Sequence, residues 1–130
     1  MISDKIDKAI RNVPDFPKEG INFKDITPLL MDSILTDDII DSFIAALNGK
    51  KVDAIVGVES RGFLFGFLLA NKMGIPFIPI RKGGKLPGET LKYKYDLEYG
   101  SAEVEIHKHD VKKGWNILIH DDLLATGGTA

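Results

Sequence analysis

The run Asn116-Ile117-Leu118-Ile119-His120-Asp121-Asp122-Leu123-Leu124-Ala125-Thr126-Gly127-Gly128-Thr129 holds the densest set of groups able to do chemistry in this sequence. Its apolar first half reads as a buried strand, which delivers the adjacent carboxylates of Asp121 and Asp122 to the C-terminal edge of a sheet, where open α/β sheets bind ligands. Thr126-Gly127-Gly128-Thr129 then supplies hydroxyls and unobstructed backbone N–H groups, the equipment for a dianionic phosphate. Carboxylates beside a phosphate cradle repel the phosphate, so their work is to accept hydrogen bonds from sugar hydroxyls or to touch a metal ion. A sugar phosphate satisfies both halves of the string. Alone, the Asp-Asp pair would read as an acidic strand end; the loop that follows turns it into a site.

Two further stretches carry charge suited to an anion. Glu59-Ser60-Arg61-Gly62 follows an apolar strand pattern. Gly57 and Gly62 have Walker A spacing, but Phe63 and Leu64 stand where that motif needs Lys and Ser or Thr, so a nucleoside-triphosphate loop is rejected. Arg81, Lys82 and Lys85 form the one dense cationic cluster at the end of a strand pattern. Preorganised cations beside developing negative charge lower a barrier, by about 3 to 4 kcal/mol for one well-placed donor. In isolation the cluster reads as a solvated loop, and Arg61 as a surface partner of Glu59. His107 and His109 share one face of a strand pattern and could hold zinc or copper, but without a third ligand nearby they read as surface histidines. His120 brings a polar ring to a strand expected to be buried, at a desolvation cost unless it finds a partner.

The elements that must position these groups follow from periodicity. Ile2, Ile6, Ala9, Ile10 and Val13 recur at helical spacing, with Pro14 as the stop. Residues 13–20 hold two prolines and a glycine around Phe16, an extended loop leading into Ile21-Asn22-Phe23. Thr36 as N-cap, with Asp37 and Asp38 behind it, predicts a helix over 37–48 ended by Gly49. Residues 52–58 are apolar on both parities, as in a strand buried on both faces of a parallel sheet. A helix over 63–73 and a second buried strand over 75–80 complete a βαβ unit. Residues 92–97 and 102–108 predict an antiparallel hairpin around a turn at 98–101, and 115–120 a third buried strand.

Composition bounds the class. The 130 residues suit a single domain. With 44% hydrophobic and 28% charged residues the chain lies in the folding range. A net charge of -2, from seventeen basic and nineteen acidic side chains, disfavours a general grip on nucleic acid. The absence of cysteine removes disulfides, thiolate metal sites and a cysteine nucleophile. No secretory signal is expected in 1–13, and no window approaches the roughly 18 apolar residues of a membrane span.

Five stretches, in order along the chain, resemble the adenine members of the type I phosphoribosyltransferases: Val13 to Pro17, Phe23 to Pro28, Glu59 to Gly66, Arg81 to Gly88 together with Leu97 to Gly100, and Asp121 to Thr129. The last is similar to the family's phosphoribosyl pyrophosphate (PRPP) signature. The resemblance implies an α/β, Rossmann-like core with a mostly parallel sheet flanked by helices. To this it adds an N-terminal hood over about residues 1–35 and a flexible β-hairpin lid. It implies transfer of 5-phosphoribosyl from PRPP to N9 of adenine, giving AMP and pyrophosphate in purine salvage, with Mg2+ held mainly through PRPP or pyrophosphate. A cytoplasmic homodimer without nucleic-acid or membrane partners is the implied setting.

By the same resemblance Ala125, Thr126, Gly127, Gly128 and Thr129 bind the 5-phosphate, and Asp121 and Asp122 the ribose hydroxyls. Pyrophosphate falls to Glu59, Ser60, Arg61, Arg81, Lys82 and Lys85, with a strained or cis peptide near Glu59-Ser60. Glu98 is the implied acid or base at the purine, Tyr99 its companion in the lid, and Arg61 and Lys82 the catalytic cations. Adenine is implied between Phe23 and Leu123, read by the backbone of Asn22 and Lys24, where Lys24 replaces the commoner Arg. Three rivals stand beside this: another base such as hypoxanthine, a PRPP-sensing regulator, for which no basic helix-turn-helix is present, and an inactive fragment. The last arises because a phosphate loop normally runs into a helix, and this sequence ends at Ala130, before the family's C-terminal helix and strand.

Overall fold

In the computed structural model, which describes residues 2–97 and 100–121, the chain forms two compact units, one up to Gly49 and one from Lys50. The first opens with α1, Ile2–Ala9, shorter than the apolar pattern suggested. Arg11–Val13 leaves the helix to become β1, which pairs antiparallel with β2, Phe23–Asp25, in the register Val13↔Phe23. A partner distant in sequence claims the backbone groups that a longer helix would use. The connecting loop turns back through Asp15 and Gly20, both at positive φ, and the Asp15 carboxylate accepts from Gly20 N at 2.9 Å. Its Phe16–Pro17 peptide is cis, and the Phe16 ring meets Phe23 edge-on at 5.2 Å.

After α2, Thr27–Leu30, the long helix α3 spans Ser33–Leu47, four residues earlier than the Thr36 cap predicted. Asp32 is the N-cap: its side chain accepts from Leu35 N at 3.0 Å, while the Thr36 hydroxyl donates to Leu29 O at 2.7 Å. Aspartate is the stronger cap type of the two, and the acidic pair that follows Thr36 is what makes the later start look favourable from sequence. Asn48 and Gly49, both left-handed, end the helix.

The second unit contains β3 (Ala54–Val58), α4 (Gly62–Met73), β4 (Phe77–Lys82), β5 (Thr90–Leu97), β6 (Gly100–His107) and β7 (Ile117–His120). They form a sheet in the order β5-β6-β4-β3-β7, with β3 parallel to β4 and β7, and β6 antiparallel to β4 and β5. All five residues of β3 are buried, as expected of a strand flanked on both sides by β4 and β7. β7 differs from the buried strand predicted: it lies last in the order among the described residues, and Ile119 is 51% exposed. β4 starts two residues late because Ile75 N still donates to Ala70 O behind the left-handed Gly74 cap of α4. It runs on to Lys82 because Arg81 and Lys82 pair with Glu105 and Val104 of β6. Ala54, Val56 and Ile78 form the core of one face with Ile80, Ile106, Trp115 and Ile117.

The opposite face of the sheet, carrying Gly57, meets α4 at glycines. A Cβ on Gly57 would stand 2.5 Å from the Phe77 ring and 2.8 Å from Gly62 O. On Gly62 it would stand 2.6 Å from His120 O and 3.4 Å from Asp121 Cα, and on Gly66 3.4 Å from the His120 ring. Hydrogen at these positions is what lets the start of α4 sit on the strand ends.

Candidate functional site

Because β3, β4 and β7 run parallel, their C-terminal ends emerge along one edge. The residues following or closing those strands are Glu59, Arg81 with Lys82, and Asp121. These four line a cavity of about 100 Å3 floored by Val58, Ile80 and Val104. Three parallel strand ends thus bring together groups spread over more than sixty positions of sequence.

At its centre is the Glu59 carboxylate, whose side chain is 8% exposed. Oε1 accepts from Arg81 Nε at 2.9 Å and from Lys82 N at 3.2 Å, and Oε2 accepts from Lys85 Nζ at 2.7 Å. Glu59 N itself donates to Ile80 O at 2.9 Å, fixing the loop to β4. The Lys85 hydrogen bond is the main reason that the carboxyl is held down from 4.5 to about 2; burial opposes it, and Arg81 and the Lys82 amide add to it. Sequence reasoning grouped Glu59 with the pyrophosphate residues but did not foresee that its side chain would organise the cations. Three cations, Arg81, Lys82 and Lys85, against the carboxylates of Glu59 and Asp121 still leave a net positive charge for an incoming anion.

The sign of the pH effect follows. A carboxyl lowered in the folded chain adds stability that is complete above its ordinary value of 4.5 and is lost as pH falls through about 2. Glu59→Gln is therefore expected to cost about 2 kcal/mol at neutral pH and to flatten the loss of stability between pH 4.5 and 2. Urea unfolding across that range checks it, and an unchanged slope would remove Glu59 from the account.

Arg61 occupies the N-cap position of α4, so it stands where the helix's positive end faces the loop. Phe63 N donates to Ser60 O at 3.1 Å and Leu64 N to Arg61 O at 3.2 Å, closing the first turn. The Glu59–Ser60 peptide is cis, as the resemblance implied. The carboxylate partners of the neighbouring cluster are now defined: Glu59 serves Arg81 and Lys85.

Asn22, Phe23 and Lys24 lie in the first unit, where Asn22 Nδ2 donates to Asn12 Oδ1 at 3.3 Å. His107 and His109 sit at the root of the hairpin, away from the strand edge. His107 Nε2 is 3.0 Å from Pro87 O and its Nδ1 3.1 Å from Asp110, while His109 Nε2 is 3.0 Å from Glu89. Among the described residues no three His, Asp or Glu side chains are arranged to hold a metal ion. Glu98, Tyr99, Asp122, Leu123, Ala125, Thr126, Gly127, Gly128 and Thr129 lie outside the described residues.

Residues 31–130 match the phosphoribosyl transferase domain. The adenine phosphoribosyltransferase of Caldanaerobacter subterraneus subsp. tengcongensis is 55% identical over 129 residues, 99% of this chain and 75% of that protein. The crystal structure of adenine phosphoribosyltransferase from Thermoanaerobacter pseudethanolicus superposes with a TM-score of 0.92 at 53% identity, covering 99% of this chain and 74% of that one. The Saccharomyces cerevisiae enzyme, complexed with an imino-altritol bisphosphate and adenine, also gives 0.92, at 45% identity over 98% of this chain and 75% of that one.

Proposed function

The chain belongs to the adenine phosphoribosyltransferases, pentosyl-transferring enzymes of purine salvage, and from that premise we propose that its strand edge binds PRPP and directs the ribosyl group to N9 of adenine. The observation that carries the reading is the convergence on one cavity of an anion-attracting cluster, Arg81 and Lys82 with Lys85 tied to Glu59, and a carboxylate, Asp121. An anion and a sugar hydroxyl are wanted side by side, and PRPP offers both.

In this mechanism the C1–oxygen bond of the donor breaks and its electron pair leaves with pyrophosphate. Arg61, Arg81, Lys82 and Lys85 receive that charge, and preorganised cations need no reorganisation as it develops. Asp121 and Asp122 hold the ribose hydroxyls, and Ala125 to Thr129 the 5-phosphate. N9 attacks the cationic sugar carbon, and Glu98 manages the purine proton while Tyr99 and the hairpin close against water. Phe23 and Leu123 sandwich the base, with the backbone of Asn22 and Lys24 reading its edge. Mg2+ would be carried by the donor's diphosphate and, bound there, would neutralise part of the leaving charge. A homodimer working in the cytoplasm is part of the same proposal.

Base choice is the sharpest check. With PRPP and Mg2+, adenine is expected to be converted to AMP at least about tenfold faster than hypoxanthine to its nucleotide, because hydrogen-bonding groups placed for adenine's edge are left mismatched by hypoxanthine. Chromatographic quantification of both nucleotides decides it, and faster use of hypoxanthine would refute the assignment.

A further inference from the structure

Glu105 is a buried charge that the reaction does not use. It is 3% exposed, deeper than any other charged residue among those described. Its Oε1 lies 3.3 Å from Lys92 Nζ, and its Oε2 is buried with no hydrogen-bond partner. On the sheet it stands opposite Arg81 of β4 on one side and Lys92 of β5 on the other. Arg81 in turn gives its Nε to Glu59 beyond the end of β3. One row of alternating charge, Glu59, Arg81, Glu105, Lys92, therefore runs from the loop after β3 across three strands, β4, β6 and β5, to the hairpin.

Directly opposed side chains have Cβ atoms about 4.5–5.5 Å apart. Glu105 is thus an immediate neighbour of Arg81 that leaves one oxygen unbonded, and it acts on the guanidinium through its field. In a poorly solvated setting such a field is weakly screened. A negative charge behind Arg81 reduces the attraction that the cluster exerts on an anion in front of it, and a positive charge behind Glu105 restores part of it.

We propose that Glu105 and Lys92 are positioning residues that act through Arg81 to set the affinity for pyrophosphate, Glu105 weakening it so that the product leaves and Lys92 limiting that effect. The proposal rests on the assignment of Arg81 to pyrophosphate. A purely structural role predicts that loss of either residue weakens binding. A field predicts opposite signs.

Inorganic pyrophosphate with Mg2+ is titrated calorimetrically into the unmodified chain, Glu105→Gln and Lys92→Gln. Glu105→Gln is expected to tighten binding about fivefold and Lys92→Gln to weaken it about two- to threefold, the smaller change reflecting the 58% exposure of the lysine. Because Lys92 is exposed, its variant gives an answer even if Glu105→Gln fails to fold: unchanged or tighter binding by Lys92→Gln overturns the proposal. Shifts of both variants in the same direction, or in neither, also overturn it while leaving the pyrophosphate site standing. Failure of the unmodified chain to bind pyrophosphate removes that site, and the proposal with it.

Discussion

Asp121→Asn is expected to raise the dissociation constant for PRPP about ten- to a hundredfold with little change in melting temperature. A carboxylate accepting from a hydroxyl contributes about 1.5–3 kcal/mol, and each 1.4 kcal/mol is a factor of ten in affinity. Asparagine keeps the shape and one acceptor oxygen but loses the charge, and its NH2 group offers a donor where the sugar also donates. Asp121 follows β7 at the strand edge and is only half-buried. The apolar core, centred on Ala54, Val56 and Ile78, does not depend on it. Calorimetry with PRPP and a thermal melt of the same variant separate the two effects. Unaltered affinity would remove the sugar-hydroxyl role from Asp121.

Gly62→Ala should lower stability by about 1–3 kcal/mol and weaken PRPP binding in the same protein. In an ordinary helix the sign is reversed, because alanine is favoured over glycine by up to about 1 kcal/mol. Here the new methyl would stand 2.6 Å from His120 O and 3.4 Å from Asp121 Cα, both backbone atoms that cannot rotate away. Relief requires the start of α4 to retreat from the end of β7. That movement carries Arg61, at the N-cap, away from Asp121, so the fold and the site should fail together. A chemical denaturation curve beside a binding isotherm tests this. Increased stability in the variant would mean that α4 does not rely on close approach at this glycine.

The contrast between these residues and the ends of the elements explains what could be read from sequence. β3 and α4 were legible because five consecutive apolar residues and a helical run closed by Gly74 are local signals of burial and period. The start of α3 was misplaced because Asp32 and Thr36 are both good caps. β1 was missed because its partner, Phe23–Asp25, lies ten or more residues away and only pairing makes it a strand. At the site, residue types gave the anion cluster, and the resemblance gave the roles. The convergence of Glu59 with Arg81 and Lys85, 22 and 26 residues further on, is set by strand register, which composition does not encode. In sequence Glu103, Glu105 and His107 alternate with Ala102, Val104 and Ile106, the pattern of a hairpin with one wet face. The addition of β4 beside β6 is what buried Glu105.

The central claim is that the joined ends of β3, β4 and β7 form one PRPP site. Its most direct measurement is a calorimetric titration of PRPP with Mg2+ into the unmodified chain, repeated in the presence of saturating pyrophosphate. The expected result is saturable binding of one PRPP per chain, abolished by pyrophosphate because both compete for Arg81, Lys82 and Lys85. Binding that persists undiminished beside saturating pyrophosphate, or no binding of PRPP at all, would contradict the account.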